Sequence, residues 1–147
     1  MDVFIDTNVL IDVLSKRDPF YKSSALVWSL AEKGKINGLV SVISFNNIYY
    51  IVRKLRNNRT AERMLILIRD VFDVIALDKQ ILGQAIDAGF NDFEDAIQYA
   101  SAVHAGVDCL LSRNQKDFPI KDLPVMSPEE FITSFSYGTS LGLSKEV

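Results

Sequence analysis

The run Val3-Phe4-Ile5-Asp6-Thr7-Asn8-Val9-Leu10-Ile11 leaves few folds open to this chain. Three consecutive apolar, strand-forming residues end abruptly at a carboxylate, and Val9, Leu10, Ile11 and Leu14 then recur at helical spacing. The pattern predicts a buried strand feeding straight into a helix, as in an open α/β sheet. Ligands of such sheets bind outside the carboxyl ends of the strands, and Asp6 stands at such an end. Asp6 or Thr7 equally suits the cap of the following helix. Both roles stay open until other carboxylates are found at the same edge.

Further along, the same alternation recurs. Arg17-Asp18-Pro19-Phe20 breaks the first helix, and Tyr21 to Lys33 reads as a second. Gly34-Lys35 and Asn37-Gly38 bracket a turn. Leu39 to Ile43 is the second strand, with Ser44 as the cap of a third helix whose Phe45, Ile48, Tyr49, Val52 and Leu55 share a face. That helix ends in a basic cluster, Arg53, Lys54, Arg56, Arg59 and Arg63. The cluster suits a solvated helix end favoured by the dipole, or a rim that contacts phosphates. Asn57-Asn58 is a loop, Thr60 to Asp70 a helix, Phe72 to Ile75 a short strand, and Asp78 the cap of a helix running to Ala88.

Asp92-Phe93-Glu94-Asp95-Ala96-Ile97-Gln98-Tyr99-Ala100-Ser101-Ala102 is the second informative stretch. Asp92 fits a cap, and carboxylates in a first turn are favoured by the helix dipole. Three carboxylates in four residues exceed what a cap needs. Asp95 opens the apolar part of the helix, where an unpaired charge is costly. His104, the only histidine, lies near the helix end with no nucleophile or orienting carboxylate in view, so a structural or surface role is expected. After Gly106, Asp108 to Leu111 is the fourth strand, and it runs directly into Ser112-Arg113-Asn114-Gln115-Lys116-Asp117. Val125-Met126 is a last short strand. Ser127-Pro128-Glu129-Glu130 starts a helix to about Phe135, and the tail from Tyr137 to Val147 is expected to be disordered or to dock on a partner.

Strands separated by helices predict a parallel sheet covered on both faces, with right-handed crossovers. The expectation is one α/β domain over residues 1–136, a three-layer α/β/α sandwich with a mostly parallel sheet of four to five strands, followed by a tail over 137–147. At 147 residues the chain can bury a real core. The lone Cys109 lies in an apolar run and reads as a reduced core residue. No signal-peptide pattern and no bilayer-length apolar run is present, so a cytoplasmic location without membrane contact is expected. A net charge of −3 argues against a protein that merely coats nucleic acid, though not against a nuclease with a carboxylate-lined metal pocket. Trp28, Tyr49 and Tyr50 on the early helices exceed what one small core needs, which predicts a homodimer.

In such a sheet Asp6, Asp95, Asn114 and Asp117 can meet at the carboxyl edge. Clustered carboxylates with amide and water oxygens are hard ligands suited to Mg2+ or Mn2+, which support displacement at phosphorus. Asp6, Asp95 and Asp117 are the candidate metal ligands. Asn114 joins them as a catalytic candidate, with Asp92 in support and Arg113, Lys116 and Arg53 as candidate phosphate contacts.

D-T-N-V-L at the start, D-F-E-D-A-I-Q-Y-A-S-A in the middle and L-L-S-R-N-Q-K-D-F after the fourth strand together resemble a PIN domain. PIN domains are metal-dependent ribonucleases and include the toxins of VapBC-type toxin–antitoxin pairs. The resemblance covers residues 1–135 and implies a Mg2+- or Mn2+-dependent endoribonuclease, an RNA substrate and an antitoxin partner. Asp6 and Asp95 match the family's first and third acids. Asn114 falls where some members have a fourth, with Asp117 just beyond. The family's second acid falls at Asn47, which carries no charge, and the resemblance implies Asn8 and Asn47 as neutral supporting residues of the site, with Asn114.

Two other readings stand beside this one. A non-catalytic PIN-fold module that binds RNA or protein would explain the missing acid. A phosphoaspartyl phosphatase also places an acid at the end of its first strand, but its second acid would be Asn8, which cannot serve as acid–base.

Overall fold

The computed structural model describes residues 1–119 and 122–140. Its elements are β1 (Asp2–Ile5), α1 (Thr7–Leu14), α2 (Tyr21–Glu32), β2 (Asn37–Ser41), α3 (Val42–Leu55), α4 (Asn58–Val71), β3 (Asp73–Ile75), α5 (Lys79–Asp87), α6 (Phe93–Ala105), β4 (Cys109–Leu111), β5 (Val125–Met126) and α7 (Pro128–Ser140). The strands form one parallel sheet in the order β3-β2-β1-β4-β5. β1 is central, which is why it reads as an unbroken apolar run. Phe4 pairs with Leu39 on one side and Leu110 on the other.

The pleat sends successive side chains of β1 to opposite faces. Val3 and Ile5 join Leu10, Val27, Ile48, Ile68 and Phe131, so α1, α2, α3, α4 and α7 cover one face. Phe4 packs with Leu39, Leu110, Tyr99 and Ala102 on the other, where α6 lies. Ile81 and Ala85 seat α5 on Ala96, Ile97 and Ala100 of α6. The result is the three-layer α/β/α sandwich expected, with all five strands parallel.

The structure redraws three local expectations. Asn37-Gly38 begins β2 rather than closing a turn: the Asn37 N–H donates to the Met1 carbonyl, and its side chain donates to Asp2 at 3.1 Å. Gly38 is required there, because a Cβ would stand 2.5 Å from the Phe72 ring. Ser41, not Ser44, caps α3, its Oγ accepting from the Ile43 N–H at 3.2 Å. Val42 and Ile43 are thereby drawn into a helical first turn against their strand preference. Finally, α7 continues past Phe135 through Ser140, while residues 141–147 of the expected tail lie outside the described residues.

Trp28, expected to be surplus to one core, meets Phe72 edge-on at 5.0 Å and packs against the main core. Tyr50, Leu55, Ile66, Leu67 and Ile86 are exposed. Among the described residues, no helix is long and apolar enough to cross a membrane.

Candidate active site

β1 stops at Ile5, and the next residue caps α1. Asp6 is only 2% exposed. Its Oδ1 accepts from the Thr7 N–H at 2.7 Å, and its Oδ2 accepts from the Ser112 hydroxyl at 2.7 Å. The capping role and the site role raised by the sequence therefore fall on the same carboxylate. Burial pushes Asp6 up to about 6 in spite of these two hydrogen bonds, and the charges of Glu94 and Asp92 add to the rise.

Asp95 lies in the first turn of α6, where its N–H donates to Oδ1 of the capping Asp92 at 2.9 Å. Burial, followed by the charges of Asp6, Asp92, Asp117 and Glu94, pushes Asp95 up to about 7. The acids converge, and they repel one another. A polar cavity of about 540 Å³ holds them. Asp6, Asp92, Glu94, Asp95 and Asp117 line it together with Asn8, Asn47, Asn114 and Lys116.

Ser112, the first residue after β4, was not singled out by sequence. Besides donating to Asp6, its Oγ accepts from the Asn114 N–H at 3.0 Å and stands 3.5 Å from Asn8 Nδ2. One hydroxyl thus ties β4, the loop after it and the start of α1. Gln98, one turn beyond Asp95, was missed as well. Fully buried, it donates through Nε2 to Thr7 Oγ1 at 2.8 Å and Ser44 Oγ at 3.1 Å, and those hydroxyls meet at 2.7 Å. Gln98 therefore fixes α6, α1 and α3, which carry Asp95, Thr7 beside Asp6, and Asn47. A Gln amid small apolar residues was the available signal.

Two of the three cations proposed as phosphate contacts do not line this cavity. Arg113 turns away: its Nε lies 2.7 Å from Oδ2 of Asp12, which is 0% exposed, and its guanidinium sits 4.4 Å from the Phe20 ring centroid. The approach is a charge contact without hydrogen-bond alignment, and neither oxygen of Asp12 has another hydrogen-bond partner among the described residues. Burial raises the Asp12 carboxyl, opposed by the charges of Arg113 and Arg17. A buried counter-ion has taken up the charge expected to meet phosphate. Arg53 lies in the neighbouring groove on the far side of Asn47, whereas Lys116 does line the cavity.

His104 is exposed in the last turn of α6, at the opposite end from Asp95. Replacing it with Ala is expected to leave any nuclease activity within a few-fold of wild type. A hundredfold loss with an unchanged circular dichroism spectrum would refute that placement.

Among the described residues, no three carboxylates, thiols or imidazoles form a ready-made metal cluster. The donor chemistry still suits a hard divalent cation: the available ligands are oxygens, and no cationic side chain is among the groups that set the electrostatics of Asp6 and Asp95. Amide oxygens of Asn8, Asn47 and Asn114 border the same space.

A family model described as PIN domain matches residues 2–116. Over 134 residues the chain is 28% identical to "Ribonuclease VapC1" of Aquifex aeolicus, spanning 88% of this chain and 92% of that protein. Among solved structures it is similar to VapBC-1 from nontypeable Haemophilus influenzae, with a TM-score of 0.66 and 18% identity over 88% of this chain and 99% of that one. It is also similar to a toxin–antitoxin complex from Klebsiella pneumoniae, with a TM-score of 0.64 and 21% identity over 86% of this chain and 97% of that one.

Proposed function

Because this chain belongs to the PIN domain family, we propose that it is a Mg2+- or Mn2+-dependent endoribonuclease, the toxin of a cytoplasmic toxin–antitoxin pair. The observation that carries this reading is the meeting of Asp6 and Asp95 in one polar cavity, each carboxyl raised by burial and by neighbouring acids. Carboxylates held together at such cost are suited to a cation. When bound, the cation supplies Lewis acidity at phosphorus and lowers the pKa of water.

The chain's own residues do the rest. Asp6 and Asp95 hold the cation, with Asp117 at the rim. Ser112 keeps Asp6 in one orientation, and the amides of Asn8, Asn47 and Asn114 orient water or donate to substrate oxygens. Lys116 meets a phosphate. A relative named as a ribonuclease and a similar structure solved as a toxin–antitoxin complex support the activity and the antitoxin partner.

The test is cleavage of RNA by the purified protein with and without Mn2+. Metal-dependent cutting that EDTA abolishes is the expected result. RNA binding without cleavage at any metal concentration would favour the second reading, a non-catalytic module, which the neutral Asn47 at the cavity wall supports.

Asn47 also sets the metal affinity. An amide oxygen ligates a hard cation but brings no charge against the cost of stripping its water. Weak Mg2+ binding is expected in the isolated protein, with RNA phosphates completing the ligands. Asn47→Glu is expected to tighten Mn2+ binding about tenfold for each ~1.4 kcal/mol gained and to raise cleavage. Calorimetry showing unchanged Mn2+ affinity would remove residue 47 from the site.

A homodimer is the proposed assembly, supported by the exposed Leu55, Ile66 and Leu67 of α3 and α4. Light scattering is expected to give twice the chain mass, and a monomer at high concentration would refute it.

A further inference from the structure

Beside the acidic cavity lies a second groove of about 550 Å³, over the outer face of α3. Asn47, Ile51 and Glu94 border both spaces, so the two adjoin. Tyr50 lines the groove and is 56% exposed, on the side of α3 away from the core residues Ser44 and Ile48. Arg53 lines it too, and Lys54 Nζ stands 6.0 Å from the Tyr50 ring centroid.

We propose that this groove is a stacking subsite for one unpaired nucleotide next to the phosphate in the cavity, with Tyr50 as the platform and Arg53 as the backbone contact. The inference rests on the ribonuclease reading and deepens it by assigning the base beside the cut to Tyr50 and its backbone to Arg53. Three features of the groove support this.

Spacing comes first. Tyr50 is three residues beyond Asn47, about 4.5 Å along the helix axis. That is on the order of one nucleotide step, about 3.4 Å per base when stacked. Charge comes second. The cavity is acidic, while the groove carries Arg53 on its wall and Lys54 beside Tyr50. A strand with one phosphate at the metal position would meet opposite charge on leaving. Glu94 on the shared wall opposes phosphate, which places the backbone on the Arg53 side of the groove. Chemistry comes third. An exposed aromatic face among cations and amides is the composition that receives splayed bases, and a duplex hides the faces of its bases.

The test uses the full-length chain. Asp95→Asn protein is mixed with a short single-stranded RNA carrying 2-aminopurine, or with duplex RNA. The same Tyr50 substitutions are assayed for cleavage in the otherwise wild-type chain. Tyr50→Ala is expected to weaken single-strand binding about tenfold, abolish the 2-aminopurine quench and lower kcat/KM similarly. Duplex binding is expected to change little, and Tyr50→Phe to retain all three wild-type values. Arg53→Ala is expected to weaken binding and flatten its salt dependence.

If wild-type protein cuts RNA while Tyr50→Ala changes neither affinity nor quench, the subsite is refuted and the ribonuclease reading stands. If the chain neither binds nor cuts RNA, both fall. Tyr50→Phe as weak as Tyr50→Ala would mean a hydroxyl contact and overturn stacking. Loss of binding that tracks dimer dissociation in light scattering would make this face a protein interface instead.

Discussion

Asp95→Asn is expected to abolish RNA cleavage and Mn2+ binding while raising the melting temperature of the metal-free protein. The two effects share one cause. In the folded chain Asp95 sits at about 7 against an ordinary 3.8, through burial and the charges of Asp6, Asp92, Asp117 and Glu94. The folded protein thus holds a proton that the unfolded chain releases. The associated stability is present below about pH 4 and is lost as the pH rises through 7.

Asp6, raised from 3.8 to about 6, adds to the same slope over a lower window, at roughly 3 kcal/mol for so buried a group. Asp95 is only half-buried, so solvent screening leaves its share at about 1–2 kcal/mol, a gain of a few degrees in Tm for the neutral variant. Scanning calorimetry from pH 5 to 8 with EDTA is expected to show wild type losing stability as the pH rises and Asp95→Asn losing less. Mn2+ affinity of wild type is expected to climb over the same range, since the cation displaces those protons. Loss of groups that merely orient a metal ligand typically costs ten- to a hundredfold, so if Asp95 holds the cation as proposed, its loss is expected to cost at least about a hundredfold in cleavage. Wild-type cleavage by Asp95→Asn would mean that the active site lies elsewhere.

Arg113→Ala is expected to cost about 3–5 kcal/mol of stability. The substitution strands the fully buried Asp12 without its closest counter-ion and removes the guanidinium from the Phe20 ring. Asp12 already resists ionisation, so it takes up a proton in the variant. The loss is therefore largest at high pH and shrinks toward pH 5. Replacing both partners, Asp12→Leu with Arg113→Met, is expected to recover most of the stability, because removing a buried pair together leaves no uncompensated charge. Urea unfolding of the two single variants and the double variant gives the coupling. Additive losses would show that the pair is not the fastener it looks to be.

The contrast between Arg113 and Lys116 shows where sequence reading stops. Both follow a strand end in a polar run, and residue type alone made both phosphate contacts. Only the fold reveals that Asp12, one turn past Asn8 on α1, lies in reach of Arg113 and not of Lys116. That Asp6, Asp92, Asp95, Asn114 and Asp117 would gather at one sheet edge was legible because strand ends and helix starts leave local marks: an apolar run that stops, a cap, excess charge. Ser112 and Gln98 were not, because a hydroxyl or an amide declares no partner until a residue about 90 to 106 positions away arrives beside it. At Val42-Ile43, the branched side chains favoured strand in isolation, while the Ser41 cap and the pairing of β2 with its neighbours decided for helix.

The central place of β1 also fixes when the site comes into being. Val3 pairs with Cys109, and the Asp6 N–H donates to the Leu111 carbonyl, so β1 is enclosed on both sides only after β4 has followed it. Asp6 meets Ser112 only after some hundred intervening residues have been synthesised. Such distant pairing is slow, because the loop must close before its contacts repay it. A chain still emerging from the ribosome carries Asp6, and later Asp95, without the strand that seats them. The cavity is completed only once β4 and Ser112 have been made, and a prematurely ended product that stops short of β4 has no such site to act with.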